Sequence, residues 1–481
     1  MAANAYGTIY TPSSISNLPT FGKGGIASLK EAGIRYVRIQ WNDYTNTTRY
    51  RIVPISAFEK LLAASRPGIG LAKAALGLIG ITLAPGFSGT GEHLYVPDMS
   101  SIRPCGYASN HASVMGWLEE KLPLPGKEGK DAYKVATCPR GILKGIVDDA
   151  RLAGVEFLVG VETEFILLSS TDPIEAVNDY NWSASAAIPS GTDLAACLEE
   201  IADALQASGI ELLMYHAEAA PGQYEIVTGP LPPLEAADAL ILTRETIYNI
   251  ASKYDLTATL TPRLYADNCG SAAHTHISVH STGYPPNSPP RPNPDTNKKT
   301  TMTPLERSFV QSLLTHLPAL AAITLPTVAS YDRVQDGVWS GGTYPSWGTE
   351  NREAPIRVTG APGAHHFEVR CMDGTASPYL ALAAFLGAGM IGVYEGQELE
   401  IEEVEVGAAE LSEEERIKRG IVGRMPRTLS EARSKLLEDK VMHKVLGEEF
   451  VEKYLSVNKT WETFLNKGDA KAKTQLMIQN Y

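Results

Sequence analysis

VEFLVGVETEFILL, residues 155–168, sets Glu162 and Glu164 two residues apart inside an otherwise apolar run. In an extended chain the side chains at i and i+2 share a face. Val161, Thr163 and Phe165 therefore take one face of a strand and both carboxylates take the other. An isolated pair of this kind is most simply the exposed polar face of an amphipathic strand. The apolar flanks weaken that reading, because they mark an interior strand. Adjacent carboxylates there repel, and burying either alone is costly.

Upstream, PRGILKGIVDDARLAGV (139–155) reads as a helix with Pro139 near its start and Gly154 near its end. Before it, LPLPGKEGK (122–130) has the Gly, Pro and Lys content of a domain boundary. Earlier still, IRYVRIQWNDYTNTTRYRIV (34–53) gives two β-rich runs broken by the polar residues 42–48, a hairpin signal. Downstream come a polar insertion around 178–192 and an amphipathic helix, TDLAACLEEIADALQASGI (192–210). Residues 281–300 are rich in Pro, Asn and Ser and are expected to form an exposed loop. From about 409 the chain is charged and periodic, as C-terminal helices with a solvated face would be. No internal repeat is visible.

The chain's 481 residues exceed one ordinary core, so two domains are expected. Hydrophobic residues make up 44% and charged residues 20%, the balance of a soluble globular protein. A net charge of −13 argues against nucleic acid or an anionic membrane surface as the main partner. The five cysteines are scattered with no CxxC pair, which reads as reduced intracellular thiols. The N-terminus has no basic segment followed by an apolar one. The most apolar stretch, residues 71–87, contains Lys73 and Pro85, is too short for a bilayer, and is read as buried interior. A cytoplasmic protein is expected.

Three further segments carry chemistry. In YHAEAAPGQYEIV, Glu218 and Glu225 bracket an Ala-Ala-Pro-Gly turn. In AAHTHISV, His274, His276 and Ser278 share a strand face, a recurrent arrangement for metal or phosphate, although a lone histidine is usually structural. In HHFEVRCMD, Glu368 and Arg370 share a face, and NREAPIR adds Arg352 and Arg357. Five carboxylates converging on one site would be untenable without cations, and two divalent ions would cancel most of that charge. Carboxylate oxygens favour Mg²⁺ or Mn²⁺, and an imidazole ligand admits Mn²⁺ as well. Arginines beside them suit a transferring phosphoryl group or an anionic substrate. The residues point to metal-assisted phosphoryl chemistry on a carboxylate.

In content, order and spacing these segments resemble the glutamine synthetase family, from about residue 34 to about 465. LPTVASYDR (325–333), SWGTENREAPIR (346–357) and a C-terminal run, MPRTLSEARSKLLED, extend the likeness, which is nearest the fungal FluG-like branch. The resemblance implies an α+β fold: a small β-grasp-like N-terminal domain, residues 1–125, and a large catalytic domain of antiparallel strands and helices, residues 131–481. It implies that Glu164, Glu218 and Glu225 hold one metal, and Glu162, His274 and Glu368 another. His276, Ser278 and Arg357 then face ATP. Gly270, Arg333 and Trp339 face the substrates, with Arg333 on the α-carboxylate, and Arg352 and Arg370 act at the phosphates and the reacting carboxylate. The implied reaction joins glutamate or a related acid to an amine through an acyl phosphate, in a ring-like homo-oligomer. A catalytically silent relative is the alternative; retention of the whole metal and arginine set speaks for the enzyme.

The chain departs from the family pattern near the substrates. Cys269-Gly270-Ser271-Ala272 stands for Asn-Gly-Ser-Gly, and Ala329 for Asn. The Asp-Gly-Ser-Ser element of ammonium-using members is replaced by APGFSGTGE, and Trp339 takes the place of their flap glutamate. The first two changes touch the amino-acid pocket, and the last two favour a substituted amine over ammonium, with Asp336 an example of another acid that could serve ammonium.

Overall fold

The hairpin read in residues 34–53 is the first ladder of the fold. Strands β1 (Tyr36–Asn42) and β2 (Thr48–Pro54) pair antiparallel, and the turn passes through Asn46 in the left-handed conformation that asparagine tolerates. Helix α1 (Ile55–Leu62) follows, and its Phe58 is buried. Strand β6 (His111–Val114) runs parallel to β1, and β5 (Arg103–Pro104) pairs antiparallel with β6, giving the order β2-β1-β6-β5. A second sheet has the order β7-β4-β3, from Gly116–Glu120, Glu92–Pro97 and Ile69–Ala72. The computed structural model describes residues 2–4, 7–15, 21–283 and 300–481. Residues 284–299 of the Pro-rich segment lie outside the described residues.

The reading of residues 71–87 as buried interior needs correction. Leu71, Leu76, Ile79 and Ala84 are buried, but Leu78 and Ile81 are exposed. The segment folds as a short hairpin, Leu78–Ile79 against Thr82–Leu83, so only one side of it can face the core. Lys73 lies at the surface on Glu120, 3.0 Å away.

Helix α2 (Pro139–Leu152) begins with proline at its first position and leads, through left-handed Gly154, into β8 (Val155–Thr171). Among the described residues β8 lies within a nine-stranded sheet. Beside it on one flank are β10 (Gln223–Thr228) and β9 (Leu212–Ala217). On the other are β11 (Thr275–Ser281), β14 (His366–Val369), β13 (Ile356–Thr359) and β12 (Trp347–Thr349). Two short strands, Ile174–Ala176 and Thr257–Thr259, also pair with β8. The pairs are antiparallel as expected, apart from the parallel pair β12–β13.

The face of β8 that carries Val161 also carries Phe157, which packs on Phe309 of α5 (Pro304–Thr324) with ring centres 5.7 Å apart. Phe309 in turn stacks on Phe367 of β14 at 6.3 Å. Both phenylalanines are fully buried, worth about 2–3 kcal/mol each. Behind α5 runs α6 (Pro378–Glu395), the most apolar helix and a stretch the sequence reading passed over. It is long and apolar enough to cross a membrane, yet 89% of it is buried in the fold, which makes it a core helix. A β-carbon at Gly392 would fall 2.0 Å from the Ser308 carbonyl, so only glycine lets α5 and α6 cross this closely. Helices α3 (Asp193–Ala207) and α4 (Pro233–Lys253) and the C-terminal helices complete the layer. The opposite face of β8, bearing the two glutamates, is left for the site.

Candidate active site

Strand register assembles the charged residues in two rows. Across β9, β10 and β8, His216 stands opposite Glu225, and Glu225 opposite Glu164. Across β13, β14 and β11, Arg357 stands opposite Glu368, and Glu368 opposite His276. Directly opposed residues have β-carbons about 5 Å apart, and opposed like charges such as Glu164 and Glu225 are destabilising. Glu162 and His274 join the rows. His274 Nδ1 lies 3.1 Å from Glu162, 3.7 Å from Glu164 and 3.5 Å from Glu368. His276 Nε2 lies 3.0 Å from the other oxygen of Glu162.

Among the described residues, three groups of donor atoms are close enough to share an ion: Glu162, His274 and Glu368; Glu164, Glu225 and His274; His216, Glu218 and Glu225. The first is the trio expected from the sequence. Of the second expected trio, Glu164 and Glu225 come together, while Glu218 meets Glu225 beside His216. Sequence reasoning missed His216, although it sits two residues before Glu218, at the end of β9. It also missed Gln223, which is buried and whose amide donates to Glu164 (3.1 Å), to the Gly270 carbonyl (3.1 Å) and to Ser271 Oγ (3.0 Å).

The electrostatics follow from burial and pairing. Burial, then Glu225 and Glu218, hold the Glu164 carboxyl well above the usual range. Burial also pushes Glu225 up to about 7, although its bond to His216 opposes the shift. That same bond raises His216 to about 9. Burial lowers His274 to about 4, helped by Arg370. Burial would raise Glu162 too, but its bonds to His274 and His276 outweigh it and leave the carboxyl below its ordinary value.

The carboxylates open into a cavity of about 630 Å³ that also reaches Gly270, Arg333, Trp339, Arg352 and Arg370. Arg370 donates to Glu368 through Nη1 and to the Trp339 carbonyl through Nη2 (2.6 Å). Arg333 is buried, donates to the Arg370 carbonyl (3.1 Å), and keeps its Nε unpartnered among the described residues. Trp339 has a φ of 55°, unusual for so bulky a residue. The Glu353 carboxylate accepts from its N–H (2.5 Å) and from that of Gly337 (3.0 Å). Asp336 is engaged elsewhere, with Arg424 (2.7 Å) and Thr343. A second cavity, about 340 Å³, is lined by His276, Ser278, His280 and His366 and shares Glu162 with the first. Arg357 lines neither cavity; its guanidinium bonds Glu368 (2.8 Å) and Glu350.

The family model described as the catalytic domain of glutamine synthetase matches residues 136–471. The chain belongs to the glutamine synthetase family. It is 36% identical over 457 residues to the protein fluG of Emericella nidulans, which bears out the expected FluG-like branch. That match covers 93% of this chain and 49% of the other, so the chain spans about half the length of that relative. It is 29% identical over 441 residues to the gamma-glutamylpolyamine synthetase GlnA3 of Streptomyces coelicolor, covering 88% and 89% of the two chains. With the glutamine synthetase of Methanocaldococcus jannaschii it shares 30% identity over 462 residues, covering 91% and 94%. Its fold resembles that of a solved GmaS–ADP complex, with a TM-score of 0.76 at 21% identity, covering 92% and 97%. The glutamine synthetase-type α+β architecture expected from the sequence is therefore the one adopted.

Proposed function

We propose that this glutamine synthetase family member is an ATP-dependent carboxylate–amine ligase that forms glutamine or an N-substituted γ-glutamyl amide. The observation that carries the reading is the meeting of Glu162, Glu164, Glu225 and His274 at one cavity with Arg333, Arg352 and Arg370, with Glu368 buried behind them against His274. The names of the Streptomyces and Methanocaldococcus relatives support the same reaction class.

The donors fit two Mg²⁺ or Mn²⁺ ions. They are carboxylate oxygens with one imidazole, and His274 Nε2 is buried with no partner among the described residues. Glu162, His274 and Glu368 would hold one ion, and Glu164, Glu218 and Glu225 the other, with His216 alongside. When bound, such ions neutralise charge on the phosphates and the transferred phosphoryl group. The remaining work belongs to the chain. His276 and Ser278 line the smaller cavity, where we place the nucleotide, with Arg357 behind Glu368. Arg333 holds the α-carboxylate of the acid beside Gly270. Arg352 and Arg370 face the γ-carboxylate and the phosphate leaving group. The γ-phosphoryl passes from ATP to that carboxylate. The amine nitrogen then bonds to the acyl carbon, and the C–O bond to phosphate breaks. Positioning and electrostatics suffice, and no covalent nucleophile is needed.

The reading includes the division of the chain at residues 125–131 into a β-grasp-like and a catalytic domain, a ring-like homo-oligomer and a cytoplasmic location. It is tested by ADP release from purified protein given ATP, Mg²⁺, glutamate and an amine. Glu164→Ala is expected to keep its fold by circular dichroism and to lose that turnover. Absence of glutamate-dependent ADP release, or full turnover in the variant, would refute the reading.

A further inference from the structure

Of six tryptophans, Trp41, Trp347 and Trp461 are buried and Trp117 is half-buried. The two exposed ones, Trp182 at 66% and Trp339 at 65%, both line the main cavity. Met214, 54% exposed, and Val338, 38% exposed, line it as well. Single apolar side chains on a surface are ordinary, but four from three separate segments around one opening form a patch with a purpose. The supports behind them are built. Trp182 sits in a turn whose Asn181 side chain accepts from the Ser183 N–H (3.1 Å). The loop is pinned from behind, where Asn178 donates to the Tyr224 hydroxyl (2.9 Å) and that hydroxyl donates to the Ala187 carbonyl (2.8 Å). Trp339 is held in its left-handed conformation by Glu353 and Arg370.

Charge narrows what this rim can take. The acids that line the cavity are the four glutamates of its floor, Glu162, Glu164, Glu218 and Glu225. The basic side chains that line it are Arg263, Arg333, Arg352 and Arg370, with His216 raised to about 9. Glu353 and Asp336, close to Trp339 in sequence, give their oxygens to the backbone of Gly337 and Trp339, and to Arg424 and Thr343. Among the described residues the rim thus offers indole faces and aliphatic surface, and the cavity's lining carboxylates are the four of its floor.

We propose that Trp182, Met214, Val338 and Trp339 form the acceptor subsite, and that the acceptor is a primary monoamine with an alkyl or aryl body, preferred over both ammonium and polyamines. The inference rests on the ligase reading above. The amine arrives as an organic cation, which an indole face attracts. After it loses one proton to solvent, its nitrogen lone pair attacks the acyl-phosphate carbon. The C–O bond breaks, phosphate leaves with the electron pair, and the second surplus proton passes to water. Each methylene the rim covers favours binding by about fourfold, an advantage ammonium cannot have.

The test measures kcat/KM for ADP release with ATP, Mg²⁺ and glutamate, using ammonium, butylamine, benzylamine and putrescine. Calorimetric titration of the same amines into protein holding Mg²⁺ and ADP runs beside it. Butylamine or benzylamine is expected to exceed both ammonium and putrescine by about tenfold or more. Trp182→Ala and Trp339→Ala should each cut the ratio of benzylamine to ammonium about tenfold. Turnover best with ammonium or putrescine, or a ratio that neither substitution moves, overturns the inference and leaves the ligase standing. No turnover with any amine, together with benzylamine binding that both substitutions weaken, keeps the subsite and overturns the ligase reading. Neither turnover nor benzylamine binding ends both.

Discussion

Replacing Gly270 by alanine would push a methyl group into the arginine assigned to the acid substrate. The new β-carbon would lie 2.4 Å from Arg333 Cγ, 3.0 Å from its Cδ and 2.4 Å from the Pro262 carbonyl oxygen. Ordinary carbon contacts begin near 3.5 Å, so a gap of about 1 Å must open. Pro262 resists, since its carbonyl already accepts the Ser271 N–H at 2.9 Å. Any shift of Pro262 alone would leave the methyl 2.4 Å from Arg333 Cγ, so the Arg333 stem must move as well, at an overpacking cost of about 1–3 kcal/mol. Moving a substrate-holding group by about 1 Å costs on the order of 100-fold in rate. Gly270→Ala should accordingly lower kcat/KM for glutamate about 100-fold, while KM for ATP, bound at the other cavity, changes less than about threefold. Initial rates of ADP release across glutamate and ATP concentrations give both values, and circular dichroism confirms the fold. If kcat/KM for glutamate stays within about threefold of the parent, Arg333 does not hold the acid and the assignment fails.

Cation binding should expel protons, because burial and neighbouring carboxylates hold Glu164 above its ordinary range and burial raises Glu225 to about 7. Calorimetric titration of Mn²⁺ in buffers of different ionisation enthalpy should show proton release at pH 6 that falls by pH 8 as Glu225 ionises beforehand; heats that ignore the buffer would contradict this. A separate effect is expected at Glu245 on α4, which burial raises to about 7 against the pull of Arg38. The folded state then keeps a proton that the unfolded chain loses above pH 4.5, so stability falls as pH rises from about 4.5 to 7, by at most about 3 kcal/mol. Glu245→Gln should flatten that fall, and melting temperatures of both proteins at pH 5 and pH 8 would reveal an unchanged slope if the carboxyl plays no part.

The centre of the fold was legible because period-two patterning and punctuation agree there. The 155–168 run became β8, and Pro139 and Gly154 bracket α2 with its connection to β8. The parallel pairs β1–β6 and β12–β13 were not legible, since pairing partners are chosen by packing far along the chain. Residues 71–87 misled because hydropathy averages over a hairpin whose two sides face different surroundings. Within the site, two-residue spacing revealed Glu162 with Glu164 on β8, and His274 with His276 at the start of β11. His216 carried the same signal toward Glu218 and went unread. Trp182 gave none, because a turn inside a polar insertion has no periodicity to mark a side chain that overhangs a cavity.

Arg370 fastens the buried Glu368 with one terminal nitrogen and the backbone of Trp339 with the other, so a carboxylate behind the cavity and the cavity's doorway share one anchor. Two ligands meeting at such an anchor share one thermodynamic cycle. Whatever factor a bound cation contributes to amine affinity, a bound amine must return to cation affinity, to the same multiple. The strength of the connection is therefore a single number, obtainable from either end, and a charge-preserving change at position 370 alters it even where each ligand's own contacts are intact.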